Sequence, residues 1–221
     1  MIITTQDGSH SIYSEQFGEA YHSKYGALQE SQHVFIEAGL KYYLDQNPNA
    51  ENIHIFEMGF GTGLNALLSF EQSNILKKNI SYTAIEAFPI ENWKELNHQS
   101  LIQNDDSTDE IFVKIHNAPW NENTEISNYF TLKKIQGKLE ETVFTDKFDI
   151  IYYDAFAPAA QEHLWTIDIF TKLHKAMNKG GVLTTYCAKG YVKRNLKAAG
   201  FTIQSIPGPI GKREMTRAVI L

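Results

Sequence analysis

The sequence predicts an α/β fold in which a mostly parallel sheet is covered by helices on both faces. From Ile53 onward, short apolar runs alternate with segments of helical spacing, a rhythm that is typical of parallel sheets. The last two apolar runs depart from it, because residues 207–211 form a Gly/Pro loop with no room for a helix. We therefore expect a sheet of seven strands whose last strand returns antiparallel to its neighbour.

The individual elements follow from the period of the apolar residues. An Asp7-Gly8 turn predicts an N-terminal β-hairpin, and Val34, Ala38 and Tyr42 form the apolar stripe of a helix over 31–44. Residues 1–50 are thus expected to be an extension packed on a single compact domain, 51–221. Within that domain the predicted strands are 53–57, 81–86, 130–135, 148–154, 182–187, 201–206 and 217–221, and the predicted helices start at 64 or span 90–101, 107–116, 168–177 and 192–199.

Length and composition favour one soluble domain. A chain of 221 residues with 43% hydrophobic content can bury a sizeable core. The lone cysteine, Cys187, allows no intramolecular disulfide, which suggests a reducing compartment and a core position for its side chain. The N-terminus has no signal-peptide pattern, and no apolar run approaches the roughly 20 residues that cross a bilayer. We expect a cytoplasmic protein without membrane attachment, as a monomer or weak homodimer.

Charge is distributed unevenly along the chain. The net charge is −6, yet residues 165–221 carry ten Lys/Arg against two acids. A basic face on an acidic body can hold nucleic-acid phosphates. The alternative is that these lysines are solvated helix faces, namely Lys172, Lys175, Lys179, Lys193 and Lys197.

A glycine-rich loop follows the first strand of the predicted domain. Residues 57–65 read EMGFGTGLN, which places three glycines where the chain turns and a ligand can approach the backbone. This pattern resembles the acid-x-Gly-x-Gly-x-Gly loop of enzymes that bind S-adenosylmethionine (SAM). A dinucleotide fingerprint would have glycine at position 64, where this chain has Leu64, and usually lacks an acid at the position of Glu57. A carboxylate there can receive the methionine ammonium of SAM, directly or through water.

Two further acids end neighbouring strands at the same predicted edge of the sheet. Glu86, followed by Ala87, is placed to accept both ribose hydroxyls of SAM, although it can also be an N-cap-like acid. Asp154 and Phe156 follow the fourth strand. Because an alkylammonium has a pKa of about 10, methylating an amine requires a proton acceptor or a dry pocket. Asp154 can take the first role and Phe156 can exclude water; the alternative is that Asp154 caps its loop.

Several segments in the same order resemble the methyltransferase domain of the MnmC family. They are residues 17–23, 28–35, 57–65, 85–89, 153–165, 180–201 and 211–215, so the likeness covers most of the chain. The resemblance implies a Rossmann-like class I SAM-dependent methyltransferase and puts Asp154 in the family's Asp-x-Phe-Ala-Pro active-site motif. It implies N-methylation of the 5-aminomethyl group of (2-thio)uridine at the tRNA wobble position, giving 5-methylaminomethyl-(2-thio)uridine.

Two departures from the family pattern qualify this interpretation. The family's third SAM motif has Gly-Asp, whereas this chain has Gly137-Lys138-Leu139, with Glu140 as a candidate substitute near adenine. Two-domain members carry an oxidase that uses FAD, and this chain ends at Leu221, so we expect neither FAD nor oxidase activity. The predicted cofactor-binding residues are Glu57, Gly59, Gly61, Gly63, Asn65, Glu86, Ala87, Leu139 and Asp154.

The basic C-terminal third gains a role if the substrate is tRNA. The anticodon stem-loop would lie across the carboxyl edge of the sheet with the wobble base splayed into the pocket. No metal is expected, because the eight histidines form no metal-ligand spacing. Two other functions stay open: a SAM enzyme acting on a small amine or acid metabolite, and a silent SAM-binding or RNA-binding scaffold. The candidate phosphate contacts are Lys189, Lys193, Arg194, Lys212 and Arg213.

Overall fold

The computed structural model describes residues 1–96 and 106–221. The strands are β1 Ile2–Thr4, β2 His10–Ser14, β3 Glu19–Ala20, β4 Asn52–Met58, β5 Asn79–Glu86, β6 Asn123–Ser127, β7 Phe130–Gln136, β8 Phe148–Tyr153, β9 Met177–Thr185, β10 Thr202–Pro207 and β11 Glu214–Val219. The α-helices are α1 Ala27–Ser31, α2 Tyr42–Gln46, α3 Leu64–Leu76, α4 Asp106–Asn117, α5 Ile167–Lys175 and α6 Gly190–Ala198. A π-helix, Gln32–Lys41, joins α1 to α2.

The central sheet has the order β10-β11-β9-β8-β4-β5-β7-β6. Its five inner strands, from β9 to β7, are parallel, while β11 lies antiparallel to both β9 and β10, as the Gly/Pro loop predicts. The predicted count of seven strands is wrong, because β6 adds an eighth strand antiparallel to β7. Ile126 is the one buried residue of β6, so this polar edge strand has no apolar run by which the sequence could reveal it.

Strand order reverses between β8 and β4, which is where an open α/β sheet binds ligands beyond its carboxyl ends. Alternate side chains of the inner strands enter two cores on opposite faces. Ile55 and Tyr152 face the core that contains the π-helix, and Phe56 and Tyr153 face the core under α5 and α6. Both faces of these strands are therefore packed, and the loops that follow β4, β5 and β8 lie side by side at one edge of the sheet.

The N-terminal extension contains the predicted hairpin and helix. Strands β1 and β2 pair antiparallel around the Asp7-Gly8 turn, and β3 adds a short third strand. The helical segment packs closely against the sheet. A Cβ at Gly39 would lie only 3.1 Å from the Tyr152 ring. Phe35 of the π-helix also packs on Tyr152, with ring centroids 5.1 Å apart. This contact anchors the extension beside the carboxyl ends of the strands.

One predicted helix is only partly within the described residues. Of the segment 90–101, residues 90–96 contain a single 3-10 turn, Trp93–Glu95, and the remainder lies outside the described residues. For residues 90–96 the helix prediction is wrong. The Trp93 ring lies flat on His116 of α4, with centroids 4.5 Å apart, and such a tertiary contact outweighs local helical spacing. Helix α4 itself is present where 107–116 was predicted. Within the described ranges, no helix is long and apolar enough to cross a bilayer.

Candidate cofactor and acceptor site

A cavity of about 440 Å³ opens at the carboxyl ends of β4, β5 and β8. Its size is within the range of small-molecule sites in proteins. The loops that follow these strands form one side, and residues of the N-terminal extension close the other. The predicted site residues that line it are Gly59, Gly61, Asn65, Glu86, Ala87, Asp154, Phe156 and Lys212.

The glycine loop after β4 has a backbone that side chains rarely allow. Gly59, Gly61 and Gly63 have φ angles of +89°, +49° and +73°. A Cβ at Gly59 would lie 3.0 Å from the backbone carbonyl oxygen of Asp154, so the loop can pack against the end of β8 only because Gly59 has no side chain. Gly63 lies outside the cavity wall and is the N-cap of α3, with a Cβ position 2.9 Å from His116 Nε2. Its requirement for glycine therefore comes from packing rather than from the cavity.

Glu86 projects into the cavity from the end of β5. The backbone N–H of Gly61 donates to its Oε2 at 3.0 Å, and that of Phe88 donates to its Oε1 at 2.9 Å. Burial raises the pKa of Glu86, while these backbone hydrogen bonds oppose the rise. The carboxylate is thus held in one orientation by two loops and keeps acceptor capacity toward the cavity.

Asn65 connects two acids that the sequence analysis treats separately. Its Nδ2 donates to Glu57 Oε1 at 2.9 Å and to Asp154 Oδ2 at 3.0 Å. Glu57 is fully buried and does not line the cavity, and burial raises its pKa well above the ordinary range. Asn65, and not Glu57, therefore stands at the cavity wall. This placement does not fit a direct contact of Glu57 with the methionine ammonium, and the contact through water stays a prediction.

Asp154 follows β8 and is partly exposed to the cavity. Its backbone N–H donates to the Met58 carbonyl at 3.1 Å, which ties the acid to the end of β4. Burial raises the pKa of Asp154 to about 7, the negative charge of Glu30 adds to this, and the Asn65 hydrogen bond and the charge of Lys212 oppose it. Near neutral pH this carboxylate can therefore both hold and release a proton.

An aromatic wall from the N-terminal extension closes the cavity beside Asp154. The Phe156 ring stacks on Phe17, with centroids 4.5 Å apart, and meets Tyr21 edge to face at 4.8 Å. The Glu19 carboxylate accepts a hydrogen bond from the Ala157 N–H at 3.2 Å. Phe156 was predicted to exclude water here, but its N-terminal partners were not predicted, because residues 15–26 have no periodic pattern. The one available signal was the resemblance over residues 17–23.

The predicted adenine contact is not supported by the structure. Leu139 is fully buried in the core under α5 and does not line the cavity, because its apolar side chain packs below the sheet end. Its carbonyl accepts a hydrogen bond from Lys172 Nζ at 3.0 Å. Lys138 and Glu140 are exposed, and Glu140 lies 3.3 Å from His163 Nε2. None of these three residues lines the cavity, so the recognition of adenine is not explained by them.

The five basic candidates occupy two kinds of environment. Lys189, Arg194 and Arg213 are exposed. Lys193 Nζ donates to Glu214 and Ser205 at 2.8 Å each, and Lys212 is paired with Glu30 at the cavity wall. Lys212 is therefore a cavity residue. Lys189, Arg194 and Arg213 remain the better candidates for phosphate contacts. Among the described residues, no group of three or more His, Cys, Asp or Glu side chains is arranged to hold a metal ion.

Comparison with known proteins identifies the family. A family model described as S-adenosyl-L-methionine-dependent methyltransferase matches residues 106–220, just over half of the chain. The chain belongs to this methyltransferase family. A crystal structure of MNMC2 from Aquifex aeolicus superimposes on the methyltransferase with a TM-score of 0.81 and 25% identity, covering 99% of this chain and 70% of that one. The match confirms the predicted Rossmann-like class I fold.

Curated relatives of the methyltransferase are longer proteins. The tRNA 5-methylaminomethyl-2-thiouridine biosynthesis bifunctional protein MnmC of Nitrosospira multiformis is 29% identical over 216 residues, covering 92% of this chain and 34% of that protein. The protein of the same name from Leptospira interrogans is 30% identical over 219 residues, covering 91% and 32%. The chain spans about a third of the length of the curated relatives it matches.

The cavity residues of the methyltransferase fit SAM. The glycine loop leaves room that a Cβ at Gly61 would fill, since that atom would lie 3.0 Å from the Tyr21 ring. Glu86 offers an oriented carboxylate of the type that binds a pair of ribose hydroxyls. Asn65 places an amide, which can donate and accept hydrogen bonds, at the cavity wall. The cofactor assignment thus rests on the donors and acceptors of the cavity as well as on the family.

Replacing Glu86 tests the ribose assignment. We expect Glu86→Ala to weaken SAM binding at least about tenfold, because each charge-assisted hydrogen bond contributes roughly 1.5 to 3 kcal/mol. Titration calorimetry measures the affinity, and thermal unfolding reports whether the loop held by Glu86 is still folded. Glu91→Ala, which removes an exposed acid five residues away, is the matched control. An unchanged affinity in Glu86→Ala would remove Glu86 from the cofactor site.

Proposed function

We propose that this methyltransferase methylates the 5-aminomethyl group of (2-thio)uridine at the wobble position of tRNA. The observation that carries the proposal is the placement of Asp154 and Glu86 on one cavity, with an aromatic wall beside the acid. The names of the MnmC relatives, which refer to 5-methylaminomethyl-2-thiouridine in tRNA, support the substrate.

The reaction transfers one methyl group to nitrogen. When bound, SAM supplies an electrophilic methyl group on a positively charged sulfur. The amine nitrogen forms the N–CH₃ bond with its lone pair as the S–CH₃ bond breaks, which leaves S-adenosylhomocysteine, and the nitrogen then loses one proton. Glu86 and the glycine loop hold the cofactor, so the residues after β8 are left to handle the amine.

Asp154 supplies the site for the proton. Its carboxylate is fixed by Asn65, and its raised pKa of about 7 makes it a better proton acceptor than an ordinary aspartate. Phe156 and Phe17 exclude water from the same side, which favours the neutral amine with its free lone pair. Orientation of the amine against a fixed carboxylate supplies much of the rate enhancement.

The walls of the cavity suit an amine carried on a nucleobase. Glu19, Glu30 and Asp154 line the acceptor side together with a single lysine, Lys212, so cationic groups are attracted. Phe88, which is 45% exposed at the cavity rim, offers a ring for stacking. Enzymes that read single-stranded RNA bases commonly stack them on aromatic side chains.

The exposed basic residues lie at the edge where tRNA would arrive. Lys189 follows β9 at its carboxyl end, and Arg213 lies in the loop between β10 and β11. Arg194 is the central residue of α6, and its guanidinium lies near Gly190 at the start of that helix, 3.4 Å from the Cβ position of the glycine. All three are thus near the carboxyl edge of the sheet that carries the cavity. We propose that they contact phosphates of the anticodon stem-loop.

Neutralising these three residues tests the tRNA surface. The combined Lys189→Gln, Arg194→Gln and Arg213→Gln variant should bind tRNA more weakly and reduce the slope of log affinity against log salt by about 2 to 3. SAM affinity should not change. The matched control neutralises Lys175, Lys179 and Lys197, which lie toward the opposite edge. If both triple variants lose the same slope, the charge effect is general and the proposed surface is wrong.

Labelled methyl transfer tests the function itself. The purified methyltransferase is incubated with methyl-labelled SAM and tRNA that carries 5-aminomethyluridine, and the nucleosides are separated after digestion. The label should be found in 5-methylaminomethyluridine, and tRNA with an unmodified wobble uridine should stay unlabelled. Transfer to small amines but not to this tRNA would identify a metabolite methyltransferase. SAM binding without transfer to either would identify a scaffold.

A further inference from the structure

We propose that the Glu30–Lys212 ion pair is a positioning device that sets the charge state of Asp154 in the acceptor site. Glu30 belongs to α1 in the N-terminal extension, and Lys212 belongs to the loop between β10 and β11. The pair therefore joins two distant parts of the chain across the cavity. This inference deepens the proposed function, on which it rests.

The pair is built into the cavity wall. Glu30 is 8% exposed; its Oε1 accepts from Lys212 Nζ, and its Oε2 accepts from the Ser23 N–H at 2.9 Å. Lys212 Nζ also lies 4.1 Å from the centre of the Tyr186 ring, in a cation–π contact. The Tyr186 hydroxyl donates to the carbonyl of Ala155, the neighbour of Asp154, at 2.8 Å. The ammonium and the carboxylate are thus both fixed in the wall of the cavity that Asp154 also lines.

The two charges act on Asp154 in opposite directions. Glu30 raises the pKa of Asp154 by repulsion and Lys212 lowers it by attraction, in addition to the larger effect of burial. The N-terminal extension and the C-terminal hairpin thereby each contribute to the proton affinity of an acid that follows β8.

Other titratable groups face Asp154 or line its cavity. They stay unchanged when the Glu30 and Lys212 variants are compared. The charge of Asp154 raises the pKa of Glu57 and Tyr82, which lie beneath the cavity, and that of Tyr186, which follows β9. Because each variant leaves this background constant, differences between variants report on the ion pair. The further titratable groups that line the cavity are Tyr13, Glu19, Tyr21, His22 and Glu86.

Direct titration of Asp154 tests the inference without turnover. The protein is labelled with ¹³C at aspartate carboxyls, and the Asp154 signal is assigned by its loss in Asp154→Asn. We expect Glu30→Gln to lower the midpoint of the Asp154 titration and Lys212→Gln to raise it, each by at least about half a pH unit. The double variant should return toward the wild-type midpoint.

Conservative and remote variants control for fold and for general charge effects. Lys212→Arg keeps the charge and should keep the wild-type midpoint, so Lys212→Gln and Lys212→Arg suffice if Glu30→Gln does not fold. Glu37→Gln removes one partner of the exposed Glu37–Lys41 pair and should leave Asp154 unchanged. Shifts of Glu30→Gln and Lys212→Gln in the same direction, or shifts no larger than that of Glu37→Gln, would overturn the inference.

The outcome for the proposed function is read separately. If the Asp154 midpoint shifts in opposite directions but the protein transfers no methyl group to tRNA, the proposed function is wrong and the proposed effect of the Glu30–Lys212 pair is supported. If the wild type transfers methyl groups to tRNA but the two variants show no opposed shifts, only the proposed effect of the Glu30–Lys212 pair is wrong. Where transfer occurs, the acid side of the pH–rate profile should follow the NMR midpoint in each variant.

Discussion

Asp154→Asn should lower the rate of methyl transfer by at least about 100-fold, the usual minimum for loss of a proton-accepting group. Asparagine keeps nearly the same shape and can still accept the hydrogen bond from Asn65, but it does not take up a proton. SAM affinity should change by less than about threefold, because loss of an interaction made with the acceptor affects turnover more than cofactor binding. Single-turnover rates and calorimetry measure the two quantities.

The pH dependence gives this prediction a second readout. The deprotonated form of Asp154 is the active one, and its pKa is about 7, so the wild-type rate should rise with pH through that value. In Asp154→Asn the inflection at about 7 should be absent, and only the rise from ionisation of the amine, whose pKa is about 10, should remain. Asp146→Asn, which changes an exposed aspartate outside the cavity wall, is the control and should keep the inflection. An Asp154→Asn enzyme with an undiminished rate and the same pH profile would show that Asp154 does not accept the proton.

Gly59→Ala should weaken SAM binding about 10- to 100-fold. Gly59 has a φ of +89°, and its new Cβ would lie 3.0 Å from the Asp154 carbonyl oxygen, which is backbone and cannot rotate away. The loop must therefore shift, and a shift displaces the Gly61 N–H that orients Glu86. Calorimetry measures the affinity, and a 10-fold change corresponds to about 1.4 kcal/mol.

Gly180→Ala separates this local effect from the general cost of an alanine at positive φ. Gly180 has a φ of +78°, and no atom of the described residues lies within 4 Å of its Cβ position. Both variants should therefore lose about 1 to 2 kcal/mol of folding free energy from the unfavourable backbone conformation. Gly180→Ala should bind SAM like the wild type. Equal affinities in the two variants would mean that the glycine loop is not part of the cofactor site.

Local patterns predicted most of the sheet but not its edges. The inner strands have apolar runs because both of their faces are buried, and the antiparallel return of β11 follows from a loop too short for a helix. Cys187 is buried, which confirms the core position predicted for this lone cysteine. The edge strand β6 and the turn at Trp93 depend on contacts with β7 and α4, which lie outside any local window.

The site residues at the ends of the inner strands could be predicted from the sequence. The residues that the N-terminal extension adds to the site could not. Gly59, Glu86 and Asp154 each end or follow an inner strand, so topology alone brings them to one edge. Burial of Glu57 behind Asn65 depends on the packing of α3, which spacing along the chain does not reveal. Glu30 and Phe17 reach the cavity from a segment far away in sequence and without periodicity, and only the folded chain shows that they line it.

A crystal structure of the methyltransferase with S-adenosylhomocysteine tests the central claim most directly. We predict that the ligand occupies the cavity with its ribose hydroxyls at hydrogen-bond distance, about 2.6 to 3.0 Å, from the Glu86 carboxylate. Its sulfur should face the side of the cavity that holds Asp154 and Phe156. Density for the ligand elsewhere, or in the cavity with Glu86 uninvolved and the sulfur turned away from Asp154, would contradict the account.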